Sequence, residues 1–383
     1  MVRDIDMKNY LLVLGFFTML LFLAGCNSKE KAVETETEET TYFSGTWITS
    51  VASTALDSRE NIKKAVEVCA DYGINHIFVV VWNKGRTHYP SKVMKELIGI
   101  EIAEQYVGRD PLQEMIEEAH AKGIKVHAWF EYGFAASNNQ KGGLILEKKP
   151  EWAAKDCVGK LLTKNGFEWM NAFHPEVQDF MLSLVMEVVN GYEVDGVQGD
   201  DRLPALPSTG GYDEYTRNLY KQEHAGMEPP KDYKNADWVN WRADRLTDFL
   251  GRLYTAVKAV KPEVMVTTAP SIHPWAKDEY LQDWPAWLEK GYTDMVIPQH
   301  YRYDIDAYRS VLLQQLSYLS GKNRRKFYPG VLIQNGSYNP SLEYLTQMVE
   351  TNRANGVEGE CFWFYEGILK FPEYFSNYRK LNK

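Results

Sequence analysis

Eight short apolar runs, each followed by an amphipathic stretch with helical spacing, constrain this chain more than any other feature. The strand-like runs are Thr46–Val51, His76–Trp82, Lys125–Tyr132, Val194–Asp200, Val264–Pro270, Met295–Tyr301, Phe327–Gln334 and Gly359–Tyr365. Between them lie helix-like stretches at Arg59–Tyr72, Pro111–Lys122, Pro175–Tyr192, Trp238–Val260, Ala307–Ser320 and Leu342–Asn355. In the third, Val177, Phe180, Met181, Leu184, Val185 and Val188 recur with the period of one helix face. Pro111 and Pro175 suit a first helical turn, where the missing N–H is no loss. Strict alternation of this kind predicts an α/β fold, a (β/α)8 TIM-type barrel, with an open doubly wound sheet as the other reading.

The residues left over are distributed unevenly. Segments 83–109, 133–173 and 201–237 are long, and each follows the C-terminal end of a strand. The opposite turns, such as Tyr72-Gly73-Ile74-Asn75, are short. In a barrel the long segments crown the face that carries function.

Ahead of the barrel the sequence changes character. Residues 11–25 are apolar and uncharged, too few to span a bilayer, and follow a short polar stretch with Arg3 and Lys8. The run ends Leu23-Ala24-Gly25-Cys26. It resembles a bacterial lipobox, which implies cleavage before Cys26, acylation of that cysteine, and a protein held to a membrane outside the cytoplasm. Residues 27–43 hold five Glu and two Lys without apolar periodicity, which reads as a solvated tether. The organisation expected is therefore 1–25 signal peptide, 26–43 anchor and tether, and 44–383 barrel. A net charge of −9 argues against nucleic acid as a partner. Cys69, Cys157 and Cys361 are far apart in sequence. Cys69 and Cys361 fall in apolar patterns and are expected as buried thiols.

Strand alternation then selects candidate site residues. His127, Trp129 and Glu131 share one face of the third strand, with Glu131 at the mouth. In Val194-Asp195-Gly196-Val197-Gln198-Gly199-Asp200-Asp201, Gln198 and Asp200 share the inward face, and Asp201 starts the loop. Two carboxyl groups can cleave a glycosidic bond, one protonating the leaving oxygen and the other acting as nucleophile or base. Asp200 is the first catalytic candidate, with Glu131 or Asp201 as its partner. The structural alternative is that the two aspartates cap the loop and Glu131 pairs with an arginine. Trp47, Trp82, Trp129 and Trp363 offer flat faces to sugar rings. His127, Gln198, Arg202, Gln299, Tyr301, Gln334 and Glu366 offer polar contacts to hydroxyls. His88 and His273 lie on mouth-side loops and are further contact candidates, whereas His76, His120 and His224 read as surface or packing residues. No His-x-His, His-Glu-x-x-His, Gly-x-Ser-x-Gly or phosphate-cradling Gly-rich sequence is present, so no metal or cofactor is expected.

Several stretches together resemble one family. They are Gly45-Thr46-Trp47-Ile48-Thr49, Asp110-Pro111-Leu112, Gly123-Ile124-Lys125-Val126-His127-Ala128-Trp129, Asn171-Ala172-Phe173-His174-Pro175-Glu176-Val177, Val194 to Asp201, Trp284 with Trp287, and Val296-Ile297-Pro298-Gln299-His300-Tyr301. In this order they are similar to the glycosyl hydrolase-like 10 family. The resemblance implies a glycosidase-like barrel, often on a lipoprotein or secreted protein, acting on bacterial cell-wall glycan. It places the family's paired aspartates on Asp200 and Asp201, its first-strand tryptophan on Trp47, and its Pro-Gln-x-Tyr on Pro298, Gln299 and Tyr301. The sequence departs from the pattern at Gly199, where relatives often carry an aromatic residue. It departs again at Arg202-Leu203-Pro204-Ala205-Leu206-Pro207, where they carry a Tyr-rich run. Two functions fit these observations: a lipid-anchored glycoside hydrolase, and a carbohydrate-binding surface lipoprotein that keeps the cleft without cleaving.

Overall fold

The computed structural model describes residues 42–381. The apolar leader, Cys26 and nearly all of the acidic stretch lie outside the described residues. Eight parallel strands form the central sheet: β1 (Phe43–Ile48), β2 (His76–Val80), β3 (Lys125–Phe130), β4 (Gly196–Gly199), β5 (Met265–Thr268), β6 (Met295–Val296), β7 (Gly330–Leu332) and β8 (Gly359–Trp363). Their order is β6-β5-β4-β3-β2-β1-β8-β7, each neighbour parallel. Parallel bridges Val296↔Phe327 and Gln299↔Gly330 join the two outer strands and close the ring. The fold is the TIM-type barrel expected. The body begins slightly earlier than the sequence reading set it: Phe43 pairs with Gly359, and Tyr42 donates its hydroxyl to Glu360.

Around the ring run the helices α1 (Arg59–Asp71), α2 (Pro111–His120), α3 (Pro175–Gly191), α4 (Ala236–Val260), α5 (Trp284–Lys290), α6 (Ile305–Ser317), α7 (Leu342–Ala354) and α8 (Pro372–Leu381). Their starts follow capping chemistry. Ser58, Asp110, Asn235, Asp304 and Ser341 each accept a backbone N–H three residues on. Helices α5 and α8 were not anticipated. At seven residues α5 is too short to show a period, and its turn signals, Pro285 in its first turn and Gly291 beyond its end at φ 72°, frame a single pair of turns.

The barrel interior is filled in layers. Near the bottom, Phe78 stacks on His127 with ring centres 4.5 Å apart, and His76 Nδ1 lies 2.9 Å from His127 Nε2. Gly196 pairs with His127 across the sheet, and a β-carbon there would stand 2.1 Å from the imidazole Nδ1, so glycine makes the room for this ring. One layer up, Trp47 donates its indole N–H to Gln198 Oε1 at 2.7 Å, and Trp129 and Trp363 meet edge to face at 5.9 Å. The mouth lies above this layer.

Candidate active site

Two strand ends and one returning loop build the mouth. Glu131 follows the last residue of β3, and Asp200 follows the last residue of β4, so both continue the inward faces of their strands. After Asp201 the chain turns back across the barrel. Arg202 then donates from Nε to the backbone oxygen of Glu131 at 2.7 Å, which pins the loop over β3. From that position the guanidinium reaches all three carboxylates: Nη2 stands 3.0 Å from Asp200 Oδ2 and 3.7 Å from Glu131 Oε1, and Nη1 stands 3.0 Å from Asp201 Oδ1. Asp200 Oδ1 also accepts the Arg202 backbone N–H at 3.0 Å. The carboxylates converge at the mouth, and an arginine is what they converge on.

The cluster borders a cavity of about 240 Å³ lined by Trp47, Trp129, Glu131, Phe167, Asp200, Asp201, Arg202, Ala269, Gln299, Tyr301 and Trp363. Asp201 is the most exposed of the three acids at 23%, against 15% for Glu131 and 3% for Asp200. Asn83, from the loop after β2, donates its amide to Glu131 Oε2, and Gln282 donates to the Asp200 backbone oxygen at 2.8 Å. Below the cluster, three indoles form the floor. Trp363 lies between Trp47 at 5.7 Å, Trp129 at 5.9 Å and the Tyr301 ring at 6.0 Å.

Burial sets the electrostatics. Glu131 is pushed above the ordinary carboxylate range by desolvation, which the Arg202 charge and the Asn83 hydrogen bond only partly oppose, and Asp201 adds to the rise. Asp200 is pushed up by the same loss of water and by Asp201 and Glu131, while Arg202 pulls it back through two N–H contacts. Three carboxylates around one guanidinium outnumber its charge in a poorly hydrated place, and this raises the proton affinity of Asp200 and Glu131. Both Asp200 oxygens already accept N–H groups. Asp200 is raised the more strongly of the two, while Glu131 stands farther from the guanidinium and accepts a side-chain N–H from Asn83 alone.

Nine of the residues selected from sequence line this cavity: Asp200, Asp201, Glu131, Trp47, Trp129, Arg202, Gln299, Tyr301 and Trp363. Arg202 does so with its charge already committed to the carboxylates, so it organises the site and is not free for a hydroxyl. Five others are not brought to the cavity. His127 shares a face with Glu131 but sits four residues lower on the strand, about 13 Å at ~3.3 Å per residue, inside the closed barrel. Gln198 is one layer down, held by Trp47. Trp82 is fully buried, donating to the Gly133 backbone oxygen at 3.0 Å and packing on Phe180. Gln334 and Glu366 follow β7 and β8 but stand outside the lining. His88 is buried against the Val80 carbonyl and His273 packs on Trp284 and Tyr318, so neither loop histidine lines the cavity. Cys69 and Cys361 are buried free thiols, and Cys157 is an exposed one.

Phe167 and Asn83 were missed. Phe167 sits in a small antiparallel sheet inside the long segment after β3, formed by Ala135–Asn138, Thr163–Lys164 and Phe167–Trp169. Its ring lies 4.7 Å under the Arg202 guanidinium. Nothing local in the sequence ties that hairpin to Arg202.

Comparison with known proteins agrees with this architecture. The chain is 31% identical over 268 residues to the glycosyl hydrolase DigH of Escherichia coli K12, a match covering 61% of this chain and 58% of that relative. It is 24% identical over 296 residues to the glycosyl hydrolase YngK of Bacillus subtilis 168, covering 67% and 53%. The chain thus spans little more than half the length of the curated relatives it matches. Among solved structures, the PgaB (BpsB) glycoside hydrolase domain from Bordetella bronchiseptica superposes with a TM-score of 0.66 at 12% identity, covering 88% of this chain and 98% of that one, a likeness of fold. The model of the family described as glycosyl hydrolase-like 10 matches residues 43–338. With that match spanning most of the barrel, the chain belongs to the glycosyl hydrolase-like 10 family.

Proposed function

We propose that this protein hydrolyses O-glycosidic bonds in a poly- or oligosaccharide. The observation that carries the reading is the convergence of Glu131, Asp200 and Asp201 on Arg202 above an indole-lined cavity. At about 240 Å³ the cavity is smaller than the roughly 300–1,000 Å³ common for drug-sized ligands. It suits a single ring, with the rest of the glycan lying outside. The Trp47, Trp129 and Trp363 rings supply apolar faces, and Gln299 and Tyr301 supply polar edges.

In this reading Glu131 carries the proton. It passes that proton to the glycosidic oxygen as the bond to the anomeric carbon breaks. Asp201, the most exposed acid and 3.0 Å from Arg202 Nη1, attacks the anomeric carbon or takes a proton from water. Asp200 anchors Arg202 through the arginine's backbone N–H and its guanidinium. Water supplies the hydroxyl of the new reducing end. The names of the relatives support hydrolysis of a glycan, and the lipobox-like sequence before Cys26 supports an anchored protein of the cell envelope acting on cell-wall glycan.

The test is incubation of the mature protein with a glycan panel that includes peptidoglycan with and without stem peptides, products being read by mass spectrometry. New reducing ends that vanish with Asp201→Asn and with Glu131→Gln are expected. Tight glycan binding with no cleavage of any member would return the protein to the binding-module reading. Anchoring is tested separately: Cys26→Ala should release the protein from the membrane fraction and abolish metabolic labelling with a fatty acid.

A further inference from the structure

The hairpin that holds Glu131 through Asn83 carries cations on its other side. Lys84, Arg86, Lys141 and Glu147 line a second concavity of about 500 Å³ together with the buried Ala136, Ile145 and Leu146. Among the described residues no carboxylate stands within ion-pair distance of Lys84, Arg86 or Lys141. Several other arginines pair with a carboxylate, as Arg109 does with Glu114, Arg217 with Glu228 and Arg245 with Glu223. Arg86 is half-buried, and its hydrogen bond goes to the carbonyl of its own neighbour, Gly85, at 2.7 Å. Taking a guanidinium partly out of water without a counter-ion costs free energy. In a chain of net charge −9, three cations against the single Glu147 carboxylate give this groove a positive balance.

One residue, Lys84, links the groove to the site. Lys84 follows Asn83 directly, and its charge is one of those that hold the Glu131 carboxyl down against burial.

We propose that the Lys84–Arg86–Lys141 groove is an anion subsite that takes a carboxylate-bearing or sulfate-bearing residue of the glycan whose neighbouring ring occupies the carboxylate cavity. This rests on the glycosidase reading, and it adds that the preferred glycan is acidic. Arg86 suits the flat, two-oxygen face of a carboxylate or sulfate, and the two lysines add point charges that adjust to its position.

Binding, not turnover, tests it, so a failure of the hydrolase reading leaves the outcome separate. The full chain is titrated calorimetrically with hexagalacturonate, with a sulfated hexasaccharide, and with neutral hexa-N-acetylchitohexaose, at low and high salt. A preference for one acidic probe over the neutral one is expected, weakening with salt. In Lys84→Gln/Lys141→Gln with Arg86→Gln, that affinity should fall about fivefold to tenfold, with neutral binding unchanged. The carboxylate and sulfate arms identify which anion the groove takes. The lysine pair alone, both fully solvated, should lose part of the preference with unchanged near-UV dichroism, which guards against a folding defect. Equal binding of acidic and neutral probes, or an acidic preference that the variants leave intact, overturns the proposal. So does binding to phosphatidylglycerol vesicles that the variants abolish without any effect on the acidic hexasaccharides.

Discussion

The Arg202 guanidinium lies 3.0 Å from the Asp200 carboxylate two residues before it, with 13% and 3% of the two side chains exposed. The contact is a hub. The same guanidinium reaches Asp201 and Glu131, and its Nε fastens the loop to the backbone of the neighbouring strand. Replacing Arg202 by methionine keeps an apolar side chain of similar length, but it removes the guanidinium from Phe167 and strands three acids in a dry place. Loss of one partner from a buried ion cluster is worth about 3–5 kcal/mol. Urea unfolding of Arg202→Met should show a loss of that order at pH 7, with part of it recovered by adding Asp200→Asn. A loss below about 1 kcal/mol, the size of a surface pair, would mean that the cluster is hydrated and weakly coupled.

The pH dependence of hydrolysis follows from the raised Glu131. Burial lifts its carboxyl above the ordinary range near 4.3, and the acid form is the working one. Activity should therefore persist above that range and fall as pH rises through the raised value. Glu131→Gln should lower kcat/KM by about 10²–10⁴-fold and remove the alkaline limb. Asn83→Ala removes a hydrogen bond that favours the charged form, so it should move the same limb to higher pH. A limb that stays in place in Asn83→Ala would assign the proton to another group.

The ring of eight strands was legible because its evidence is local. A strand buried on both faces writes an apolar run into the sequence, and a helix writes a period. The convergence of Glu131 with Asp200 was legible for the same reason, as both sit one step beyond a strand on its inward side. Depth was not legible. Alternation gives the face of His127 and Gln198 but not their height in the barrel, and the closed interior places both beneath the mouth. The role of Arg202 was hidden too. It depends on a loop that returns across β3, and that return is fixed by a contact to a backbone oxygen 71 residues away. Phe167 depends on a hairpin whose register has no strong pattern.

The structure supplies a physical reason for glycine at position 199. A β-carbon there would stand 2.0 Å from the Leu203 carbonyl oxygen, the backbone of the loop that carries Asp200, Asp201 and Arg202. An alanine must push that loop outward, and the neighbour is backbone, which gives little. Gly199→Ala should cost about 1–3 kcal/mol in urea unfolding, the range for overpacking. It should also lower kcat/KM while sparing the fold, because the displaced atoms are those of the cluster. Unchanged kinetics with unchanged stability would show that the loop is far softer than its contacts imply.

The paired histidines at the barrel bottom make a prediction about acid stability that is independent of the mouth. Burial, together with the Lys125 charge, holds His76 down to about 3, and burial with the His76 and Lys125 charges holds His127 well below its usual value. Their unfolded values stay near 6.5, so the unfolded chain binds protons that the folded chain refuses. The sign follows: this pair costs nothing above pH 6.5 and destabilises the fold progressively as pH falls below it, by about 1.4 kcal/mol per pH unit for each ring. Asp200 and Glu131 act oppositely, because the fold retains their protons to higher pH than the unfolded chain does. The variant comparison separates the two contributions. His76→Gln removes one refused proton while keeping an amide that can meet the His127 ring. Its stability between pH 6.5 and 4 should decline less steeply than that of the parent, by about 1.4 kcal/mol per unit, whatever its offset at pH 7. Parallel pH-stability curves for the two proteins would mean that His76 takes up its proton inside the barrel, and that the bottom layer is not dry.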